Sequence, residues 1–306
     1  MSDALYVATD REGIGRALDA DVKWDLPTIT NGSWTPGEPT ISKGAPLVLR
    51  NIASLLDALD EEIFVAEALE KTKDAETPGT VLTKSARLSS KTSWDTEAAA
   101  HFALDCAEHV SHDVAEVRLP DGTSLGDVIA QARKVLETLE SDDAHNLSLI
   151  ARLSAARRLR KRGAEIGDFA RELLAEDVQS NVNALDDPAY TAMAALVDAV
   201  LGAVEAIRSL ALPRYVHSRE EPIDEHSVGE ASSIPRILTT PWGPIAIGAE
   251  HRSPYAPSWA AARDAAGRAR DAMIDRSGRE AGEKERSWQA RRLEGYLHSS
   301  ALPRGS

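Results

Sequence analysis

The densest set of side chains able to do chemistry lies in one stretch, Trp94-Asp-Thr-Glu-Ala-Ala-Ala-His-Phe-Ala-Leu-Asp-Cys-Ala-Glu-His-Val-Ser-His112. Glu97, His101, Asp105 and His109 step by four, and His112 follows three later. At ~100° per residue they share about a third of a helix circumference, opposite Phe102, Ala103, Cys106, Ala107 and Val110. Histidines and carboxylates one turn apart can share a divalent ion, which makes His101, Asp105, His109 and His112 candidate metal ligands. A polar stripe opposite an apolar one is also what any surface helix presents, and a structural metal site needs ligands from elsewhere in the chain. Neither His-Glu-x-x-His nor paired Glu-x-x-His occurs, so no cofactor is expected beyond such an ion. Cys106 falls on the apolar side, where burial raises a thiol pKa and leaves it inert.

A second group of candidates lies between Ser233 and Trp259, where five prolines and the aromatics Trp242, Tyr255 and Trp259 surround Glu250, His251 and Arg252. Prolines lower the entropy cost of holding one loop shape, and aromatics anchor it. Trp242, Glu250, His251, Arg252, Tyr255 and Trp259 are therefore candidate partner- or ligand-binding residues. The alternative is a loop strapped across helices by its tryptophans. Arg152, Arg157, Arg158, Arg160, Lys161 and Arg162 form one basic cluster ahead of Gly163, a composition suited to a helix C-terminus. Gly13-Ile-Gly15 has Leu18 where a dinucleotide-binding turn needs its third glycine. No catalytic residue can be assigned.

The elements that would carry these residues read as helices. Leu49, Ile52, Leu56, Leu59, Ile63, Ala66 and Leu69 step by three or four, which predicts one long amphipathic helix over roughly 46–73. Further helices are expected near 94–110, 126–141, 144–162, 164–180, 188–212, 258–275 and 279–298. Residues 77–93 read as a connector. Pro120-Asp121-Gly122 suggests a tight turn or small hairpin. Residues 1–45, with Trp24, Trp34, three prolines and Asn31-Gly32, read as an irregular segment with one or two short strands. The expectation is a mainly α fold, an all-α helical bundle: one alanine-rich domain of about eight helices over 46–298, broken by a long loop at 213–257. The terminal Leu302-Pro-Arg-Gly-Ser306 resembles the remnant of a protease-site tag.

Composition narrows the function classes. Lys and Arg total 35 against 49 Asp and Glu, a formal net charge of −14, which opposes phosphate-backbone binding, so nucleic acid is not an expected partner. One cysteine among 306 residues excludes a disulfide framework and suits a reducing compartment, so a cytoplasmic protein is expected. The most apolar stretch, 191–212, contains Asp198, Glu205 and Arg208, which points to a buried core helix and no membrane partner.

Two pieces of the chain resemble segments of the helical immunity proteins found beside bacterial polymorphic toxins. One is Phe102-Ala-Leu-Asp-Cys-Ala-Glu-His-Val110 with Ile129-Ala-Gln-Ala-Arg133. The other is Ser258-Trp-Ala-Ala-Ala-Arg-Asp-Ala-Ala-Gly-Arg-Ala-Arg270 with Glu285-Arg-Ser-Trp-Gln-Ala-Arg-Arg-Leu-Glu-Gly-Tyr-Leu297. Together they span at most about a fifth of the chain. The resemblance implies a stoichiometric inhibitor that binds a protein partner, with an acidic surface steering it toward a basic one. The leading functional expectation is thus a protein-binding module, immunity-like or a scaffold, with a homo-oligomer as one form of partner. The alternative is an enzyme, metal-dependent or not, with a pocket closed by loop 233–259.

Overall fold

The computed structural model describes residues 4–16, 21–42, 46–70, 72–140, 149–180, 188–211, 237–240, 243–246 and 257–298. Its N-terminal third is a sheet, so the fold is α+β and the expected all-α bundle is corrected. The strands are β1 (Leu5–Thr9), β2 (Ile14–Arg16), β3 (Asp21–Lys23), β4 (Thr28–Thr30), β5 (Ser33–Thr35), β6 (Thr40–Ile41), β7 (Leu47–Arg50), β8 (Glu62–Ala68), β9 (Lys73–Asp74), β10 (Thr80–Thr83) and β11 (Ser85–Lys91). Seven of them form one antiparallel sheet in the order β6-β11-β8-β1-β7-β10-β9, while β2–β3 and β4–β5 are separate hairpins.

The predicted helix over 46–73 is instead β7, the four-residue helix α1 (Ile52–Leu55), a 3₁₀ turn and β8. The connector expected at 77–93 is β10 and β11. The Thr-, Ser- and Lys-rich composition of 77–93 hides its strands, whereas the helical reading of 46–73 has its cause in the sheet. Tyr6, Ala8 and Ile63 point into the core shared with the helices, whereas Val7, Leu47, Leu49, Phe64, Ala66, Ala86 and Leu88 form a second core with Trp24 on the opposite face. A sheet covered on both faces needs apolar residues at successive positions, which erases the alternation that betrays a strand. Cross-strand partners Tyr6↔Val65 and Val7↔Phe64 confirm that each face is continuous. The segment read as irregular at 1–45 therefore supplies β1, which sits mid-sheet between β7 and β8.

The helices are α2 (Thr96–Val110), α3 (Leu125–Glu140), α4 (Leu149–Ser180), α5 (Pro188–Ala211), α6 (Ser258–Ser277) and α7 (Arg279–Leu297). Asp95 caps α2, accepting hydrogen bonds from the amides of Glu97 and Ala98. The two helices expected at 144–162 and 164–180 are one, because Gly163 lies mid-helix, buried beside Val200 of α5, and caps nothing. The turn at 120–122 carries a single bridge, Arg118↔Ser124. Within the loop expected at 213–257, residues Ile237–Thr240 (β12) and Gly243–Ala246 (β13) form an antiparallel pair.

Helix α5 is long and apolar enough to cross a bilayer, yet most of that stretch is buried inside the fold, against α2, α4 and α6. Small residues allow this. A methyl at Gly202 would stand 3.1 Å from the Ala261 Cβ, so α5 and α6 approach at near-backbone distance. One acid is buried in the same joint: Asp198 of α5 accepts a hydrogen bond from Arg268 of α6 at 2.5 Å, and burial, only partly offset by that arginine, raises its pKa to about 6. A folded value above the ordinary 3.8 favours the protonated folded state. This group's contribution to stability is therefore present below the unfolded value and lost as pH rises through about 6. Unfolding titrations from pH 4 to 7 should show the wild type losing roughly 1–3 kcal/mol more than Asp198→Asn across that window.

Helix α7 runs across the joint between sheet and helices. Arg286 donates to the Ala53 carbonyl at 3.0 Å and to Asp57 at 2.5 Å, and Tyr6 Oη lies 3.0 Å from His298 Nε2. The Ser93 amide donates to the Leu297 carbonyl.

Candidate functional site

The stripe on α2 does become a polar cluster, but its partners are cations and a tyrosine. Asp105 is buried, and its two oxygens accept from Arg133 of α3 (2.7 Å), Arg292 of α7 (2.5 Å) and Tyr296 of α7 (2.6 Å). Arg133 also pairs with Glu108. Burial alone would raise the Asp105 carboxyl, but the hydrogen bonds from Arg292, Tyr296 and Arg133 outweigh it and hold the carboxyl below its usual range. Burial and then the neighbouring carboxylate push the Tyr296 hydroxyl upward.

One turn further on, His109 Nδ1 lies 2.7 Å from Glu285 Oε2, and the imidazole stacks on Trp288 at 3.8 Å with planes 2° apart. Glu285 is fully enclosed and also accepts from Gln289, which donates to the Ala266 carbonyl as well. Burial raises the Glu285 carboxyl against the pull of His109. Cys106, between the two clusters, is buried, and its thiol is pushed well above its ordinary value, first by burial and then by Glu285 and Asp105. A nucleophilic thiolate is disfavoured there.

Of the four candidate metal ligands, Asp105 and His109 are thus committed to separate partners, His101 is half-buried one turn before Asp105, and His112 is exposed in a 3₁₀ turn past the helix end. Among the described residues no three His, Cys, Asp or Glu side chains are grouped so as to hold a metal ion. A divalent ion at Asp105 would also meet two guanidinium groups. The arrangement is an ion-pair network that locks α2, α3 and α7 together.

Of the loop candidates, Trp242, Glu250, His251, Arg252 and Tyr255 lie outside the described residues. Trp259 sits in the first turn of α6, half-buried, with the Arg263 guanidinium 5.7 Å from its ring centre. In the basic cluster, Arg162 bridges to Asp121 at 2.5 Å and to Glu165, which ties α4 to the 120–122 turn, whereas Arg157 and Arg158 are exposed. The Arg162 partnership helps hold Asp121 at about 2, second to a backbone hydrogen bond from Thr123. An open groove of about 500 Å³ lies beside this turn, lined by Asp121, Thr123, Asp127, Ala130, Gln131 and Lys134.

The feature that the sequence reading passed over is the β4–β5 hairpin. Asn31 (φ 53°) and Gly32 (φ 77°) make the two-residue turn whose twist matches a hairpin. Thr28, Ile29, Thr30, Ser33, Trp34 and Thr35 are all exposed. Ile29 and Trp34 are cross-strand partners, 49% and 37% exposed, so they form one apolar pair facing solvent. Residues 26–37 contain no charged side chain, in a chain where 27% of residues are charged, while the exposed Asp25 and Glu38 flank the stretch. Asn31-Gly32, Trp34 and this gap in the charge pattern were the available signals. Their exposure was not readable, because Trp24, an equally apolar neighbour, is buried beneath the sheet.

Comparison with family models, curated proteins and solved structures gives no match. The functional reading therefore rests on the chain's own geometry.

Proposed function

We propose that this protein is a binding module for a protein partner, acting by occupancy as an immunity-like inhibitor or a scaffold. The observation that carries the reading is the β4–β5 hairpin, an uncharged surface element that leaves the Ile29–Trp34 pair partly exposed. Leaving two large apolar side chains in water gains nothing for folding, whereas an aromatic anchor entering a partner's pocket supplies a large share of binding energy. The acidic remainder of the surface, net −14, steers a basic partner toward the finger. The polar cluster around Asp105 and Glu285 supports the same view, since its charges are satisfied by one another across α2, α3 and α7.

The test is retention of partners from native lysate by wild type and Trp34→Ala. Because Trp34 belongs to neither apolar core, the variant should keep its circular dichroism and fold while losing at least tenfold in partner retention. Equal retention by both proteins would remove the hairpin from the interface.

A further inference from the structure

The turn of the hairpin holds a reactive pair. Where glycine follows asparagine, the glycine backbone nitrogen reaches the asparagine side-chain amide most easily, because no Cβ hinders it. Asn31-Gly32 is the one such pair in the chain. Both residues are exposed, a Cβ placed on Gly32 would meet nothing within 4 Å, and no hydrogen bond among the described residues holds the Asn31 side chain. The ladder closes on Thr30↔Ser33, so the Gly32 N–H lies outside it. In the closed turn Asn31 and Gly32 sit at φ 53° and 77°, and attack requires the backbone to rotate. The turn joins strands of only three residues each, and so short a two-stranded unit opens locally at little cost. Two sites elsewhere in the chain lack this combination. Asn51 is followed by Ile52 and caps α1, its side chain accepting from the Ser54 amide at 3.0 Å. Asp121-Gly122 offers the same backbone, but Asp121 is tied to Thr123 and Arg162, which hold it ionised with a pKa of about 2, and a carboxylate anion is a poor electrophile.

We propose that Asn31 is a self-modification site, at which the chain converts without an enzyme to aspartate and isoaspartate and so disables the hairpin. The deprotonated Gly32 nitrogen attacks the Asn31 Cγ, the new C–N bond closes a five-membered succinimide, and the side-chain nitrogen leaves as ammonia. Water then opens the ring. Attack on the carbonyl formed from the side chain gives aspartate, and attack on the Asn31 backbone carbonyl gives isoaspartate. The sum is one water taken up and one ammonia lost, with no oxidant or reductant. Either product places a carboxylate in the uncharged stretch 26–37, between Ile29 and Trp34. A carboxylate carried into an apolar interface must give up its water. Isoaspartate also lengthens the turn backbone by one methylene, which breaks the two-residue geometry that sets Ile29 opposite Trp34. The loss of binding rests on the reading of the hairpin as the binding element, whereas the conversion does not.

The test is incubation of the purified full chain in warm neutral buffer, read by peptide mass mapping and charge-resolved chromatography. Each converted chain gains about 1 Da and one negative charge. Conversion at Asn31 should run at least about tenfold faster than at Asn51, quicken as pH rises, and stay within about tenfold of its rate in the urea-unfolded chain. The Asp121-Gly122 peptide should remain unchanged. Asn31→Gly suits the positive φ of the turn and cannot convert, so it should keep its charge state through the same incubation. Aged wild type should retain severalfold less of whichever lysate protein fresh wild type retains, and aged Asn31→Gly as much as when fresh. A native chain whose Asn31 stays intact while the unfolded chain converts overturns the proposal. Converted wild type that retains its partner as fresh protein does overturns the disabling of the hairpin. If fresh wild type retains no partner while Asn31 converts, the binding reading fails and the conversion at Asn31 stands.

Discussion

Asp105→Ala is expected to lower the unfolding free energy by about 2–4 kcal/mol, measured as a shift in denaturant midpoint at pH 7. The carboxylate is the common acceptor for Arg133, Arg292 and Tyr296, contributed by two other helices, so its removal strands three donors at once. The full cost of breaking a buried pair is moderated here because the Arg133 and Arg292 side chains remain 24% and 51% exposed and can recover water. Asp105→Asn keeps an acceptor but no charge and should fall between the two. The pH dependence follows from the direction of the shift: a carboxyl held below its ordinary 3.8 contributes stability above that value and loses it as pH falls through the lower folded one. The gap between wild type and Asp105→Asn should therefore close in acid. A loss below about 1 kcal/mol for Asp105→Ala would show that the three donors are hydrated in solution and that the network does not join the helices.

Phe102→Ala is expected to cost about 3–5 kcal/mol, the range for emptying a fully buried aromatic site. Phe102 has no exposed surface, and its ring lies edge-on to both Trp94 and Tyr296, each 6.1 Å between centres. It sits where three parts of the fold meet. Trp94 is held from the sheet side by its indole N–H donating to the Asp60 carbonyl at 2.9 Å, and Tyr296 is fixed from α7 by Asp105. The cavity would be walled by these anchored rings, so little collapse is available to soften the loss. Thermal unfolding with near-ultraviolet dichroism would check both the cost and the loosening of the tryptophan. Phe102→Leu, which keeps most of the volume, should recover more than half of the difference. A cost for the alanine variant near that of a surface substitution, within about 0.5 kcal/mol, would mean that the three rings do not form the joint described.

The helical half of the chain was legible to within a few residues at α2, α3, α5, α6 and α7, for local reasons. Alanine-rich runs with a 3.6-residue period, Asp95 as a cap, Pro188 at a first helical position and Gly278 between the last two helices act within a turn or two of sequence. The charged residues inside 191–212 correctly placed that stretch in a core, since Asp198 finds Arg268 there. Gly163 misled for the complementary reason. A glycine ends a helix when the backbone turns left-handed, but it also serves where a neighbour needs room, and Val200 of α5 was not visible from α4.

The sheet and the candidate sites were decided elsewhere. Leu49 through Leu69 satisfies a helical spacing by coincidence, because strands buried on both faces carry apolar residues without alternation, and only the helices above and Trp24 below reveal that both faces are covered. Asp105 presents the same difficulty at the level of chemistry. Its spacing from His101 and His109 is a local fact and suggested a metal ligand, while its partner Arg292 lies 187 residues away in sequence and changes the acid into the hub of an ion-pair network. Exposure is equally non-local: Trp24, flanked by Lys23 and Asp25, closes a core, whereas Trp34, in the uncharged stretch 26–37, stays partly exposed. By itself the sequence determined the acidic balance, the helix periods and the turn at Asn31-Gly32, all set by neighbours along the chain. Which acids are neutralised, which faces are covered and which apolar side chains remain exposed were decided by packing between distant segments.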